Sequence, residues 1–178
     1  MRFGWGRAAV LAVAMMALAA CGRGGEGGPS LEDRAAAAAY FMESNARAEG
    51  IETLPSGVQY KILASGPARG VKPDGNDLVR VDYEGTLTDG RVFDSSFERG
   101  SPAVFHLDQV VPGWTEGLRN MRVGDEWLLY IPPELGYGER GAGGMIPPNS
   151  VLVFRVKLLD VAPIPGDAPT RGAAAAAV

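Results

Sequence analysis

The chain has 178 residues, a formal charge of −4 with both signs mixed along its length, one cysteine and one histidine. That leaves room for one ordinary domain. It excludes an internal disulfide framework, a Cys/His zinc site and a strongly basic nucleic-acid-binding surface. With 46% apolar residues, 25 glycines and 13 prolines, the composition suits short strands and turns better than a helical bundle.

Arg2 and Arg7 precede an unbroken apolar run from Ala8 to Ala20. The run is too short to span a bilayer as a mature helix and has the length of a signal-peptide core. It ends in Leu18-Ala19-Ala20-Cys21-Gly22, which resembles the lipobox of bacterial lipoproteins. That resemblance implies a signal peptide over 1–20 and lipidation of Cys21. It places the mature protein in the cell envelope, at the outer membrane facing the periplasm if the cell is Gram-negative. Gly-rich residues 21–30 read as a flexible tether. Ser30-Leu31-Glu32-Asp33 resembles a capping box that opens an Ala-rich helix over 31–50, with Gly50 as its C-cap. Its apolar stripe of Leu31, Ala35, Ala38 and Met42 is narrow, so the helix must lean on something else.

Residues 51–75 read as a lead-in strand and loop, with Val58 to Leu63 alternating. Val79, Val81 and Tyr83 then alternate with Arg80, Asp82 and Glu84 as a half-buried strand. Asp89-Gly90 is a hairpin turn into Arg91-Val92-Phe93. Val104 to Leu107 reads as a strand, and Pro112 to Leu118 as a short helix carrying Trp114. Glu126 to Ile131 is a strand stopped by Pro132-Pro133. Val151 to Asp160 alternates again, with Leu152, Phe154, Val156 and Leu158 on one face. Five or six strands and one internal helix predict an α+β domain, an antiparallel sheet wrapped on the helix. Residues 164–178 read as a disordered tail.

Six short motifs make the middle of the chain specific. They are Val81-Asp82-Tyr83-Glu84-Gly85, Asp89-Gly90-Arg91-Val92-Phe93-Asp94, Val110-Val111-Pro112-Gly113-Trp114-Thr115-Glu116-Gly117, Met121-Arg122-Val123-Gly124, Gly136-Tyr137-Gly138 and Ile146-Pro147-Pro148-Asn149, closed by Leu152-Val153-Phe154. In this order they resemble the FK506-binding-protein family of peptidyl-prolyl cis–trans isomerases, over residues 76–163. Phe41-Met42-Glu43-Ser44-Asn45 and Gly57 to Lys61 are similar to the lead-in of the macrophage-infectivity-potentiator type. The resemblance implies a half-barrel fold and an enzyme that speeds X-Pro rotation during folding of envelope proteins. The alternative is a weakly catalytic module of the same fold that binds proline-containing or unfolded segments.

The family pattern implies catalytic roles for Tyr83, Phe93, Asp94, Trp114, Tyr137 and Phe154. Trp114 would floor the pocket under the proline ring, and Tyr137 would bond a substrate carbonyl. Val110, Val111, Met145, Ile146 and Arg99 form the substrate-binding set. Asp94 is expected as a buried charge partnered by the Tyr83 hydroxyl and Arg99. Ala103 stands where the family often has an aromatic residue, which predicts a pocket more open on that side. Ala142 replaces a His common in eukaryotic members, and His106 reads as a surface strand residue. The reaction breaks no bond, so no cofactor and no metal are expected. Partners are proline-containing polypeptides, the membrane through the lipid, and macrolides of the FK506/rapamycin type, with no nucleic acid. The chain is expected to be a monomer or weak homodimer.

Overall fold

The computed structural model describes residues 28–165. The expected signal segment, Cys21, most of the expected tether and the expected tail beyond Pro165 lie outside those residues. Helix α1 spans Leu31–Asn45, followed by strands β1 (Glu52–Thr53), β2 (Gln59–Ala64), β3 (Leu78–Leu87) and β4 (Val92–Ser95). Helix α2 (Ser96–Arg99), strand β5 (Ala103–His106), helix α3 (Pro112–Asn120), strand β6 (Glu126–Ile131) and strand β7 (Leu152–Ala162) complete the order.

Seven strands form one antiparallel sheet, in the order β1-β2-β6-β7-β3-β4, with β5 also paired to β3. The strand beyond the expected six is β1. It has two residues, too few for any periodicity to reveal. The concave face carries Val79, Val81 and Tyr83 of β3, Leu129 and Ile131 of β6, and Phe154, Val156 and Leu158 of β7, all buried. Helix α3 lies across that face with Trp114 and Leu118 pressed into it. Gly113 and Gly117 are what let it approach. A Cβ at Gly113 would overlap the Ile131 side chain, and one at Gly117 would stand 2.6 Å from Leu129 Cδ1.

Helix α1 begins with the expected capping box. Ser30 Oγ accepts the Asp33 N–H at 3.1 Å, and Asp33 Oδ2 accepts the Ser30 N–H at 3.1 Å. It ends at Asn45 rather than at Gly50. There the Arg47 and Ala48 amides turn back on the carbonyls of Ser44 and Asn45, tightening the chain. Gln59 captures the end of the helix as well, donating to the Met42 carbonyl and accepting from Asn45 Nδ2, both at 2.8 Å. At the other end of the domain, residues 161–164 belong to the fold. β7 runs through Ala162 and pairs it with Leu78. The Ile164 N–H, at the first residue of the expected tail, donates to the buried carboxylate of Asp77 at 3.0 Å.

The glycine contact predicts a sign. Gly113→Ala improves intrinsic helix propensity by up to about 1 kcal/mol. It also inserts a methyl group against a β-branched side chain, an overpacking that costs about 1–3 kcal/mol. The variant should therefore unfold at lower urea concentration than wild type. A midpoint at or above the wild-type value would mean that α3 can lift off the sheet without penalty.

Candidate active site

Between α3, the inner ends of β3, β4, β5 and β7, and the loop from Tyr137 to Ile146 lies a cavity of about 760 Å³. Its floor is Trp114, which is only 3% exposed. Four aromatic rings stand around the indole or around each other, edge to face. Tyr83, Phe105 and Phe154 lie 5.3, 5.3 and 5.2 Å from the Trp114 ring, at interplanar angles of 87°, 85° and 79°. Phe93 meets Phe154 at 5.4 Å and 88°. Edge-to-face packing is the favoured aromatic geometry and adds about 0.5–1.5 kcal/mol per pair beyond burial. The lining is therefore stiff as well as apolar.

Ten of the eleven expected catalytic and substrate-binding residues meet here or at the rim; Arg99 is the exception. Tyr83 and Phe154 reach the cavity as inward residues of β3 and β7. Phe93 and Asp94 are neighbours in sequence, and a regular strand would send them to opposite faces. The β3–β4 register shifts between Gly85 and Thr86 and skips Phe93, so both residues line the cavity. Gly85 makes room for the Phe93 and Phe154 rings, since a Cβ there would stand 2.6 Å from Phe93 and 2.7 Å from Phe154. Val110 and Val111 lead into α3, whose first turn starts with Pro112. Ile146 is buried, Met145 is 59% exposed and Tyr137 is 41% exposed. The loop that carries them closes on itself, with Ala142 and Ile146 exchanging backbone hydrogen bonds of 2.9 Å.

Phe105 joins the expected wall residues. Ala103 sits opposite Val81, and two residues further along the same face Phe105 packs on both Tyr83 and Trp114. The period-two pattern of β5 is the signal for this inward face. Two expectations need correction. Asp94 is not a buried charge, because its side chain is 44% exposed. Arg99 is absent from the lining and instead backs the wall. Its guanidinium bonds Asp94, donates to the Tyr83 hydroxyl at 2.8 Å and lies 5.4 Å from the Tyr83 ring centre. Gln109, Ala142 and Gly143 also line the cavity, and as turn residues they carried no periodic signal.

Tyr83, Asp94 and Arg99 form a closed network, in which the Tyr83 hydroxyl donates to Asp94 Oδ2. Partial burial works against the Asp94 charge, but the bonds from Tyr83 and Arg99 outweigh it and hold the carboxyl below its usual range. Burial and the Asp94 carboxylate together push the Tyr83 hydroxyl above its usual value. Asp94 is therefore ionised and Tyr83 neutral throughout the physiological range. Among the described residues no group of three or more His, Cys, Asp or Glu is placed to hold a metal ion.

A concave antiparallel sheet closed by a helix, with an aromatic-walled cavity floored by the helix tryptophan, defines the FK506-binding-protein class of fold. The comparisons agree. The profile of the FKBP-type peptidyl-prolyl cis-trans isomerase family matches residues 70–159, and that of the domain amino terminal to it matches residues 26–62. The chain belongs to this family. It is 49% identical to the peptidyl-prolyl cis-trans isomerase Mip of Coxiella burnetii over 121 residues, 68% of this chain and 52% of that protein. It is 45% identical to the outer membrane protein MIP of Legionella longbeachae over 139 residues, 78% of this chain and 59% of that protein. The chain thus spans little more than half the length of these relatives. Among solved structures, a peptidyl-prolyl cis-trans isomerase of Pseudomonas syringae pv. tomato superposes with a TM-score of 0.71 at 38% identity, over 76% of this chain and 98% of that one.

The Asp94 network can be tested by its pH response. The folded pKa of Asp94 lies below the unfolded value of about 3.9. Its contribution to stability is therefore present above that value and is lost as pH falls through the folded pKa. Arg99→Ala removes one cause of the shift, so the Asp94 carboxyl should titrate closer to its ordinary value by NMR. Stability should also become less sensitive to acid. An unmoved Asp94 titration would show that Arg99 does not hold the charge.

Proposed function

We propose that this chain is a peptidyl-prolyl cis–trans isomerase acting on proline-containing segments of cell-envelope proteins. The observation that carries the reading is the cavity itself, an aromatic recess on an indole floor with an ionised carboxylate and a tyrosine hydroxyl at its edge. Uncatalysed rotation about X-Pro faces a barrier of about 18–20 kcal/mol, because the planar amide is stabilised by charge-separating resonance. The twisted form has lost that resonance and is less polar. An apolar surface that excludes water therefore disfavours the planar amide relative to the twisted one, and only such differential binding raises the rate. Each 1.36 kcal/mol of difference is tenfold in rate.

In this reading the proline ring rests on Trp114 between Tyr83, Phe93 and Phe154. Ile146 covers it, and Val110, Val111 and Met145 guide the flanking chain. Tyr137 donates its hydroxyl to a substrate carbonyl. Asp94 acts through its charge on the orientation of the amide and transfers no proton; Arg99 keeps that charge in place. Phe105 belongs to the same wall; in this reading a macrolide of the FK506/rapamycin type would occupy the same recess. We further propose that Cys21 carries the lipid that holds the domain at a membrane. The supporting observations are the lipobox-like sequence around Cys21 and the likeness to a relative named as an outer membrane protein.

A protease-coupled assay on tetrapeptides tests the activity. Turnover should favour Leu or Phe before proline over Glu. Tyr137→Phe removes one hydrogen bond of about 0.5–1.5 kcal/mol, so a threefold to tenfold loss is expected. The directions of the Asp94 and Tyr83 shifts leave neither group titrating near neutrality, so turnover should be flat from about pH 6 to 8. A bell-shaped profile that collapses in Asp94→Asn would indicate acid–base chemistry instead. Negligible turnover with retained peptide binding would favour the weakly catalytic module.

For the anchor, mass spectrometry of the mature protein should find an acylated N-terminus at Cys21, and Cys21→Ser should release the protein from membranes. An unmodified N-terminus at another residue would refute the anchor.

A further inference from the structure

A side-chain hydrogen bond from Asn149 joins the end of the cavity loop to helix α1. Asn149 is the only non-glycine among the described residues with positive φ, at 55°, and it is 8% exposed. Asparagine is one of the few residues that tolerate this left-handed conformation. Its N–H donates to the Gly138 carbonyl at 2.8 Å. That bond joins the two ends of the loop whose members include Ile146, next to Tyr137. Its side-chain Nδ2 donates to the Leu31 carbonyl at 3.0 Å, in the first turn of α1. That turn is itself held by the capping box of Ser30 and Asp33.

We propose that Asn149 is a positioning residue, which uses α1 as the fixed point that holds the Tyr137–Ile146 loop over the cavity. This rests on the isomerase reading for its kinetic consequence only. The left-handed backbone aims the carboxamide away from the cavity toward α1, while the N–H stays with the loop. Loosening the tie leaves the aromatic floor and the Asp94 network untouched. It lets the loop sample open positions, and that ordering must then be recovered when substrate binds. Such a loss falls equally on ground and transition states. It raises KM and leaves kcat largely unchanged.

Asn149→Gly is the informative variant. Glycine accepts the positive φ without strain and keeps the N–H to Gly138, so the bond to Leu31 is the interaction removed. KM for a tetrapeptide should rise roughly threefold to tenfold, the equivalent of one hydrogen bond, with kcat close to wild type. A purely structural loss would reduce the folded fraction and therefore apparent kcat, with KM unchanged, and that result would overturn the proposal. Ser30→Ala, which frays the first turn of α1, should raise KM in the wild-type background and add little in the Asn149→Gly background. Full additivity would cut α1 out of the linkage and overturn the proposal. Amide hydrogen exchange at Ala142 and Ile146 reads the loop without turnover. Faster exchange in Asn149→Gly supports the tie, and unchanged exchange refutes it, even if the wild type proves inactive and the isomerase reading fails.

Discussion

The close seat of α3 on the sheet is the constraint from which the site follows. Two glycines one helical turn apart, Gly113 and Gly117, bring the helix backbone onto Ile131 and Leu129. A glycine in a helix is unfavourable by about 1 kcal/mol relative to alanine, so the contact is maintained against local propensity. Its return is the depth of Trp114. At that depth the indole is reached from three strands at once, by Tyr83 of β3, Phe105 of β5 and Phe154 of β7. The same rings are the core of the domain and the wall of the cavity. Cavity wall and folding core are thus one set of side chains, and truncating Trp114 would disturb both together.

Polar groups enter this apolar recess in an ordered way. Asp94 arrives beside Phe93 through the bulge in β4. Its two carboxylate oxygens are taken separately by the Tyr83 hydroxyl and by Arg99. Helix α2 serves that arrangement. Ser96, fully buried, accepts the Tyr83 N–H through its hydroxyl at 2.9 Å, and the last residue of the helix is Arg99. A four-residue helix thereby fixes both the backbone of one cavity residue and the counter-charge of another. The charge at the cavity edge is held by neighbours that are themselves held, which is how a partly exposed carboxylate keeps a definite orientation.

Helix α1 follows a different logic. Little apolar surface joins it to the sheet; Ala38 is its buried residue, and Tyr40 is largely exposed. A carboxamide fixes its C-terminal end instead, Gln59 at Asn45 and at the Met42 carbonyl, and at the other end the Leu31 carbonyl of the helix so placed accepts from Asn149. Tilted packing of Phe41 on Tyr130 lies between them. Directional bonds specify position more sharply than a small apolar contact of equal strength. A helix with so narrow an apolar stripe can be placed accurately this way without a large interface.

The sequence by itself determined the elements and the class of site. Alternation in β3 and β7 depends only on which side chains must leave water, and period two reports it directly. The capping box at Ser30, the turn at Asp89-Gly90 and the stop at Pro132-Pro133 are local chemistry within a few residues. The order of the motifs around Trp114 carries the family resemblance, and that resemblance implies the aromatic recess. Other features were decided only in three dimensions, where no local rule applies. The bulge that turns Phe93 and Asp94 to the same side depends on the register of β4 against β3. The place of Phe105 in the wall depends on where β5 pairs. The exposure of Asp94, the withdrawal of Arg99 behind the wall and the end of α1 at Asn45 are set by distant partners. So is the tie between Asn149 and Leu31, which joins residues 118 positions apart. Side-chain period is a property of a segment, whereas register, depth and partner choice are properties of the packed whole.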